Sequence, residues 1–373
     1  MTQPSQGPQQ IPVVVLAGFL GSGKTTLLNH LLHHSGGTRI GAIVNDFGAI
    51  EIDALAVAGA LGDSTVSLGN GCLCCAVDSS ELDGYLERLA RPGTGIDVIV
   101  IEASGLAEPQ ELVRMLLASE LPGIVYGGLV EVVDAAEFDA TRSKHPEIDR
   151  HLALADLVVV NKLDRAADRE RVLGLVRELA DHAAVVPATY GRIDPGFLFD
   201  CRPSEERVGQ LSFDDLHQHD DPAGQSQAHD GHLHTGYDSL SFSSDVPLDP
   251  RRLIAFLDGR AEGLYRIKGY VDFGAYDPAN RYGVHAVGPF LRFYPERWPD
   301  GTPRRTQLVL IGSGIDTAAL EKDLRVCVSD APHTADEHGM WGVLRYVRDP
   351  EADEGRDPDD DGEGRDTGPE EAA

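Results

Sequence analysis

The chain has 373 residues, of which 42% are hydrophobic and 25% are charged, and its formal net charge at pH 7 is −29. This length allows two domains, and the acidic balance argues against nucleic acid as a partner, because no broad basic surface is expected. Five cysteines are too few for a disulfide-stapled secreted scaffold, and no apolar run is long enough to span a membrane. We therefore expect a cytoplasmic protein with reduced thiols and no membrane partner.

Short apolar runs alternate with amphipathic stretches through the first half of the sequence. The apolar runs that predict strands are 11–18, 39–46, 97–104, 127–135 and 156–164. The amphipathic stretches that predict helices are 25–34, 79–90, 109–119 and 168–180. Continuous apolar strands separated by helices are typical of a parallel sheet covered on both faces. We predict an α/β domain with a mostly parallel sheet over 11–200, preceded by a disordered segment at 1–10.

The second half of the sequence follows a different pattern. Residues 201–236 contain few apolar side chains and are interpreted as a histidine-rich linker or mobile loop. From 237 to 348, a β-α-β-β-β-α order predicts a small antiparallel α+β domain. Residues 351–373 contain eleven acids and two arginines but no aromatic residue, so they cannot bury a core. We predict a disordered acidic tail over 349–373.

A glycine-rich segment follows the first predicted strand. Residues 18–25, GFLGSGKT, match the phosphate-loop pattern G-x-x-x-x-G-K-[ST] between a strand and a helix. Glycines let consecutive backbone N–H groups turn toward phosphate oxygens, and the helix N-terminus adds positive potential. Lys24 is expected to bridge the β- and γ-phosphates, and Thr25 to bind Mg²⁺. The nucleotide-binding residues predicted here are Gly18, Gly21, Ser22, Gly23, Lys24, Thr25 and Thr26.

Two further motifs end predicted strands. Residues 161–164, NKLD, match a guanine-specificity motif in which Asn161, Lys162 and Asp164 contact the nucleotide, although a helix N-cap is an alternative. The Asp164 carboxylate would accept from two guanine N–H groups that adenine lacks. Segment 187–189 is a weaker candidate for backbone contacts to the base.

A carboxylate followed by a glycine three residues later ends the strand run at 97–104. Glu102 would hold Mg²⁺, and the Gly105 N–H would sense the γ-phosphate. The predicted catalytic residues are Lys24, Glu102 and Gly105. Asp46, at the end of the run at 39–46, is a second candidate for Mg²⁺ or another metal, with a turn residue as the alternative.

Three of the five cysteines lie within GCLCC at 71–75. Cys72, Cys74 and Cys75 could give Zn²⁺ two or three thiolates and leave a fourth position for Asp46, Glu51, water or a partner. Redox chemistry and simple packing are the alternatives.

Imidazoles in the linker could capture Zn²⁺, Co²⁺ or Ni²⁺ alike, and the alternative is a polar linker. The histidines concerned are His217, His219, His229, His232 and His234.

In chain order, the segments GFLGSGKTTLLNHLL, NDFG, GCLCC, IEASGLAEP and NKLD resemble the CobW family of metal-handling GTPases, which is related to the HypB and UreG nickel-insertion GTPases. YRIKGYVDF, HAVGP and RRTQLVLIGSGID resemble that family's C-terminal domain. One departure concerns the family's usual N-E-F-G-E, since this chain has Asp46 and Ala49 at the two acidic positions.

The resemblance implies GTP hydrolysis with Mg²⁺, coupled to delivery of a metal to a client protein. Zinc is the commonest cargo, with cobalt or nickel in some members. Two alternatives stay open: a metal- or stress-sensing regulatory GTPase that transfers no cargo, and a cobalt-handling GTPase of cobalamin synthesis. A GTP-dependent homodimer is a further open alternative.

Overall fold

The computed structural model describes residues 10–45, 65–68, 79–105, 107–199, 237–299, 301–329 and 338–347. In the first half, seven strands form one sheet in the order β3-β2-β4-β1-β5-β6-β7, and all of their pairings are parallel. These strands are β1 Ile11–Ala17, β2 Ile40–Asn45, β3 Thr65–Leu68, β4 Val98–Glu102, β5 Ile124–Asp134, β6 Leu157–Asn161 and β7 Ala184–Pro187. Every residue of β4 and of β6 is buried, which explains why these segments read as continuous apolar runs.

Helices cover the parallel sheet on both faces. They are α1 Lys24–His33, α2 Ser79–Ala90, α3 Pro109–Ala118, α4 Phe138–Lys144, α5 Ile148–Leu154 and α6 Arg169–Leu179. One cluster buries leucines of α1 against β1 and β4, and another buries leucines of α2 and α3 against the opposite face. The sequence reading missed α4 and α5, because each has seven residues and shows too few turns for an apolar period to emerge.

The second half forms a five-stranded antiparallel sheet in the order β11-β10-β9-β12-β8. Its strands are β8 Asp238–Ser244, β9 Leu264–Val271, β10 Asn280–Val287, β11 Phe290–Arg297 and β12 Thr306–Gly312. Its helices are α7 Pro250–Asp258, α8 Thr317–Cys327 and α9 Trp341–Leu344. Strand β11 was not predicted; it carries Pro295, which a sheet tolerates at an edge, and β11 is at the edge of this one.

The two halves share a buried junction. Tyr265, Val287 and Ile311 of the antiparallel sheet belong to the same hydrophobic cluster as the α1 leucines. The carboxylate of Asp156, just before β6, accepts from the Tyr126 hydroxyl at 2.5 Å and from a β5 backbone N–H at 2.7 Å. Burial raises the pKa of Asp156 to about 6, although these hydrogen bonds act to lower it. The junction therefore holds a satisfied polar group as well as apolar surface.

The predicted fold class is confirmed: an α/β phosphate-loop domain is followed by a small α+β domain. None of the described helices combines the length and the apolar character that crossing a membrane requires. The predicted linker at 201–236 and acidic tail at 349–373 lie outside the described residues, as does the N-terminal segment except for Gln10.

Candidate functional site

The phosphate loop, residues 18–25, lies between the end of β1 and the start of α1. Gly18 and Gly23 have φ of 141° and 104°, values that L side chains rarely adopt. A Cβ on Gly18 would lie 2.4 Å from the Val132 carbonyl oxygen, and one on Gly23 would lie 2.4 Å from Asn161 Nδ2. Neighbouring strands thus approach the loop so closely that only glycine fits. Lys24 Nζ donates to the Gly18 carbonyl at 2.8 Å, so the lysine head lies inside the loop.

The predicted magnesium ligands meet beside the loop. Thr25 Oγ1 donates to Glu102 Oε1 at 2.7 Å, although the two residues are 77 positions apart. Glu102 ends β4, is 5% exposed, and lies in register with Leu16 of β1. A hydroxyl and a carboxylate are hard oxygen donors of the kind that Mg²⁺ prefers, so this pair fits that ion. A Cβ on Gly105 would lie 2.7 Å from the Leu20 nitrogen, so the predicted sensor glycine lies against the loop.

The first two residues of the NKLD motif brace the phosphate loop. Asn161 is 1% exposed; its Nδ2 donates to the Ser22 carbonyl at 3.0 Å, and its Oδ1 accepts from the Gly191 N–H at 2.9 Å. Lys162 Nζ donates to the Gly21 carbonyl and to Asp134 Oδ2, both at 2.6 Å. The motif therefore fixes the loop in addition to any contact with the base.

Asp164 lies on a 3₁₀ turn, Leu163–Arg165, and is exposed. The turn adjoins the segment after β7, because the Leu163 N–H donates to the Ala188 carbonyl at 3.4 Å. A cleft of about 440 Å³ opens between them. It is lined by Leu163, Arg169, Leu173, Pro187, Ala188, Thr189, Tyr190 and Arg192. The two segments predicted to contact guanine thus share one cleft, while Thr26 is exposed on the first turn of α1.

The sequence reading overlooked two acids in β5. Glu131 is 2% exposed and lies in register with Ala17, the last residue before the phosphate loop. Burial raises the pKa of Glu131 to about 8, although the Lys24 cation acts in the opposite direction. Asp134 ends the strand and binds Lys162, as above. The sequence does contain a signal for these two residues, because both are charged residues inside the apolar run at 127–135.

The predicted transition-metal ligands belong to segments that the structure does not describe. Asp46, Cys72, Cys74, Cys75 and the five linker histidines lie outside the described residues. Those histidines are His217, His219, His229, His232 and His234. Within the described ranges, no group of three or more His, Cys, Asp or Glu side chains could hold a metal ion. Cys327, in α8, is a buried free thiol whose Sγ lies 3.3 Å from the Asp323 carbonyl.

Two family models match the chain. The CobW/HypB/UreG nucleotide-binding domain matches residues 12–187, and the cobalamin synthesis protein cobW C-terminal domain matches residues 237–328. A protein from Pseudomonas aeruginosa named zinc chaperone CobW is 31% identical, over 86% of this chain and 92% of its own length. A zinc chaperone CobW from Sinorhizobium sp is 29% identical, over 88% of this chain and 100% of its own length. The crystal structure of Zn(II)-bound YjiA GTPase from E. coli covers 86% of this chain and 99% of its own, at 22% identity and a TM-score of 0.40.

Proposed function

The chain belongs to the CobW/HypB/UreG family of GTPases, and on that premise we propose that it is a metallochaperone that couples GTP hydrolysis to delivery of zinc to a client protein. The observation that best supports GTP binding and hydrolysis is the Thr25–Glu102 hydrogen bond, which joins the phosphate loop to the end of β4. The relatives named zinc chaperone support the metal part. They also favour Zn²⁺ over the alternatives, Co²⁺ and Ni²⁺.

In the proposed site, Lys24 and the loop N–H groups hold the β- and γ-phosphates of GTP. Thr25 and Glu102 hold Mg²⁺, which when bound neutralises charge that develops on the phosphates. Gly105 lies against the loop, which supports a role for its N–H in sensing the γ-phosphate. Asp164 selects guanine by accepting from its N–H groups.

The order of the strands supports a metal site near this machinery. β2 pairs with β4 so that Val44 lies in register with Glu102. β3 pairs with β2 in parallel, so both strands end at the edge of the sheet where Thr25 and Glu102 meet, and the cysteine motif follows β3 in the sequence. We propose that Cys72, Cys74 and Cys75 bind Zn²⁺, with Asp46 as a fourth ligand. If the nucleotide changes metal affinity by some factor, linkage requires that the metal change GTP affinity by the same factor.

The histidine-rich segment is proposed as a capture site that raises the local zinc concentration. We propose two domains, at 11–200 and 237–348, with this segment between them. We propose a metal-requiring client protein as the partner, and we keep GTP-dependent dimerisation as an open alternative.

A zinc titration of the full chain, with and without GTPγS, tests the proposal. We expect the nucleotide to change zinc affinity, and we expect a triple Cys72→Ser/Cys74→Ser/Cys75→Ser variant to lose that response. Cys327→Ser is the matched control, because its thiol is buried in α8 and distant in sequence from the motif. Equal zinc binding by the triple variant and the wild type would rule out the cysteine site.

A second measurement separates delivery from sensing. Zinc-loaded protein is mixed with a zinc-indicator chelator, and release is followed during GTP hydrolysis and with GTPγS. Delivery predicts that release depends on hydrolysis. Metal-stimulated hydrolysis without release would instead favour the regulatory alternative.

A further inference from the structure

The loop that follows β7 is a tight turn held in place from two sides. Thr189 and Arg192 pair across it, and the Arg192 N–H donates to the Thr189 carbonyl at 3.1 Å. Gly191 donates its N–H to Asn161, and a Cβ on Gly191 would lie 2.8 Å from the Leu27 nitrogen in α1. The turn is therefore pressed against both the NKLD motif and the helix of the phosphate loop. Its tip is fixed relative to the nucleotide site.

An aromatic residue occupies the tip in a conformation that aromatic residues rarely adopt. Tyr190 has φ of 55°, and Gly191 after it has φ of 66°. A turn with positive φ at both central positions normally takes Asn, Asp or Gly there. Tyr190 is 68% exposed, so burial does not repay the conformational cost of order 1 kcal/mol or more. Stability alone thus gives no reason for a tyrosine here.

The same backbone conformation recurs at only one other non-glycine residue in the described part of the chain. That residue is Lys162, with φ of 57°, in the NKLD motif. Unusual backbone conformations concentrate at ligand sites, where the surrounding structure holds them. Lys162 immediately precedes Leu163, which lines the 440 Å³ cleft together with Tyr190. Both outliers therefore belong to segments that border this cleft.

The cleft suits a planar base. Its volume lies within the usual range of ligand pockets, and its walls include Leu163 and Ala188. Leu163 directly precedes Asp164, the predicted reader of the guanine edge. A base whose edge faces Asp164 exposes its two flat faces, and one of them needs cover from water. An exposed tyrosine ring on a fixed turn can supply that cover by stacking.

We propose that the Tyr190 ring stacks on the guanine base of the bound nucleotide and sets the affinity for GTP and GDP alike. The inference rests on the proposed function in one respect, namely that the base lies beside Asp164. Tyr190 acts on the base and not on the γ-phosphate. It therefore contributes equally to binding of the substrate and of the product, and it leaves the chemistry at Thr25 and Glu102 untouched.

Isothermal titration calorimetry tests whether Tyr190 stacks on the base. The full chain is titrated with GDP, GTPγS and pyrophosphate, each with Mg²⁺. Tyr190→Ala should weaken GDP and GTPγS binding by the same factor, about 5- to 100-fold. Tyr190→Phe should keep wild-type affinity, since the ring is retained. Pyrophosphate has no base, so its affinity should not change in either variant. Tyr270→Ala removes a partly exposed tyrosine from β9 and is the matched control, with no expected effect.

A further variant separates stacking from folding. Tyr190→Asn tolerates positive φ, so it should unfold at no lower temperature than the wild type and still lose GDP affinity. Wild-type GDP affinity in Tyr190→Ala would overturn the proposal, and so would an equal loss of pyrophosphate affinity, which would indicate a distorted phosphate loop. Failure of the proposed function would give a different set of results. The wild type would bind GDP and Tyr190→Ala would bind it more weakly, but zinc affinity would not respond to nucleotide.

Discussion

Replacing the buried acid of β5 should change how the stability of the protein depends on pH. Glu131 is 2% exposed, and its Oε2 has no hydrogen-bond partner among the described residues. Burial raises its pKa from 4.5 to about 8, and the opposing effect of the Lys24 cation does not cancel this. A carboxyl group in this position is held in its protonated form at neutral pH.

The sign follows from proton linkage. The folded pKa of Glu131 lies above the unfolded value, so its contribution to stability is fully present below pH 4.5. Between pH 4.5 and about 8, unfolding releases this proton, and the free energy of unfolding falls as the pH rises. Above about pH 8 no further loss occurs. The difference between the two pKa values corresponds to an upper limit of about 5 kcal/mol.

Urea denaturation of the nucleotide-free protein at pH 5, 6, 7 and 8 measures this effect. Glu131→Gln and Glu131→Met should remove the contribution of Glu131 to this slope and become more stable than the wild type by a few kcal/mol near pH 8. Two variants are needed because a buried glutamine amide requires its own partners, whereas methionine does not. Glu137→Gln, at an exposed acid just after β5, should follow the wild type. Parallel pH curves for the wild type and both Glu131 variants would refute the reasoning.

Three other substitutions test contacts around the site. Asn161→Ala removes the brace between the phosphate loop and the turn after β7, and it should lower the urea-derived unfolding free energy by about 2–4 kcal/mol. Thr25→Val removes a proposed Mg²⁺ ligand and the hydrogen bond that orients Glu102, so GTP hydrolysis should fall by about 10–100-fold in a phosphate-release assay. Asp156→Ala leaves the Tyr126 hydroxyl and a backbone N–H without their acceptor. It should cost about 2–4 kcal/mol in urea, whereas a neutral result would mean that water replaces the carboxylate.

The phosphate loop could be found from sequence because its signals are local. Eight consecutive residues carry the glycines, the lysine and the threonine, and the flanking strand and helix have the expected periods. The contact between Thr25 and Glu102 follows from topology, since the phosphate loop and Glu102 lie at the same ends of the neighbouring parallel strands β1 and β4. The features of the site that could be predicted are therefore those determined within a short segment or by the end of a strand.

The bracing contacts could not be predicted, because they join residues far apart in the chain. Asn161 and Ser22 are 139 positions apart, and Lys162 and Gly21 are 141 apart. A four-residue motif suggests contact with a base, but nothing local shows that its side chains also reach the phosphate loop. Glu131 was missed for a different reason, since its apolar neighbours in β5 predict a buried strand whatever the residue at that position.

The nucleotide-binding half is not separable from the antiparallel sheet. Strand β6 has a carboxylate of the junction at its beginning, Asp156, and the brace of the phosphate loop at its end, Asn161. All five residues of β6 are buried, and packed interiors transmit displacement more readily than they absorb it. Tyr265 and Val287 of the second half also pack in the cluster that holds the α1 leucines. Removing the second half would expose that cluster. Any change measured in a truncated nucleotide-binding half would therefore combine two effects, namely the disruption of its own core and the absence of the second domain.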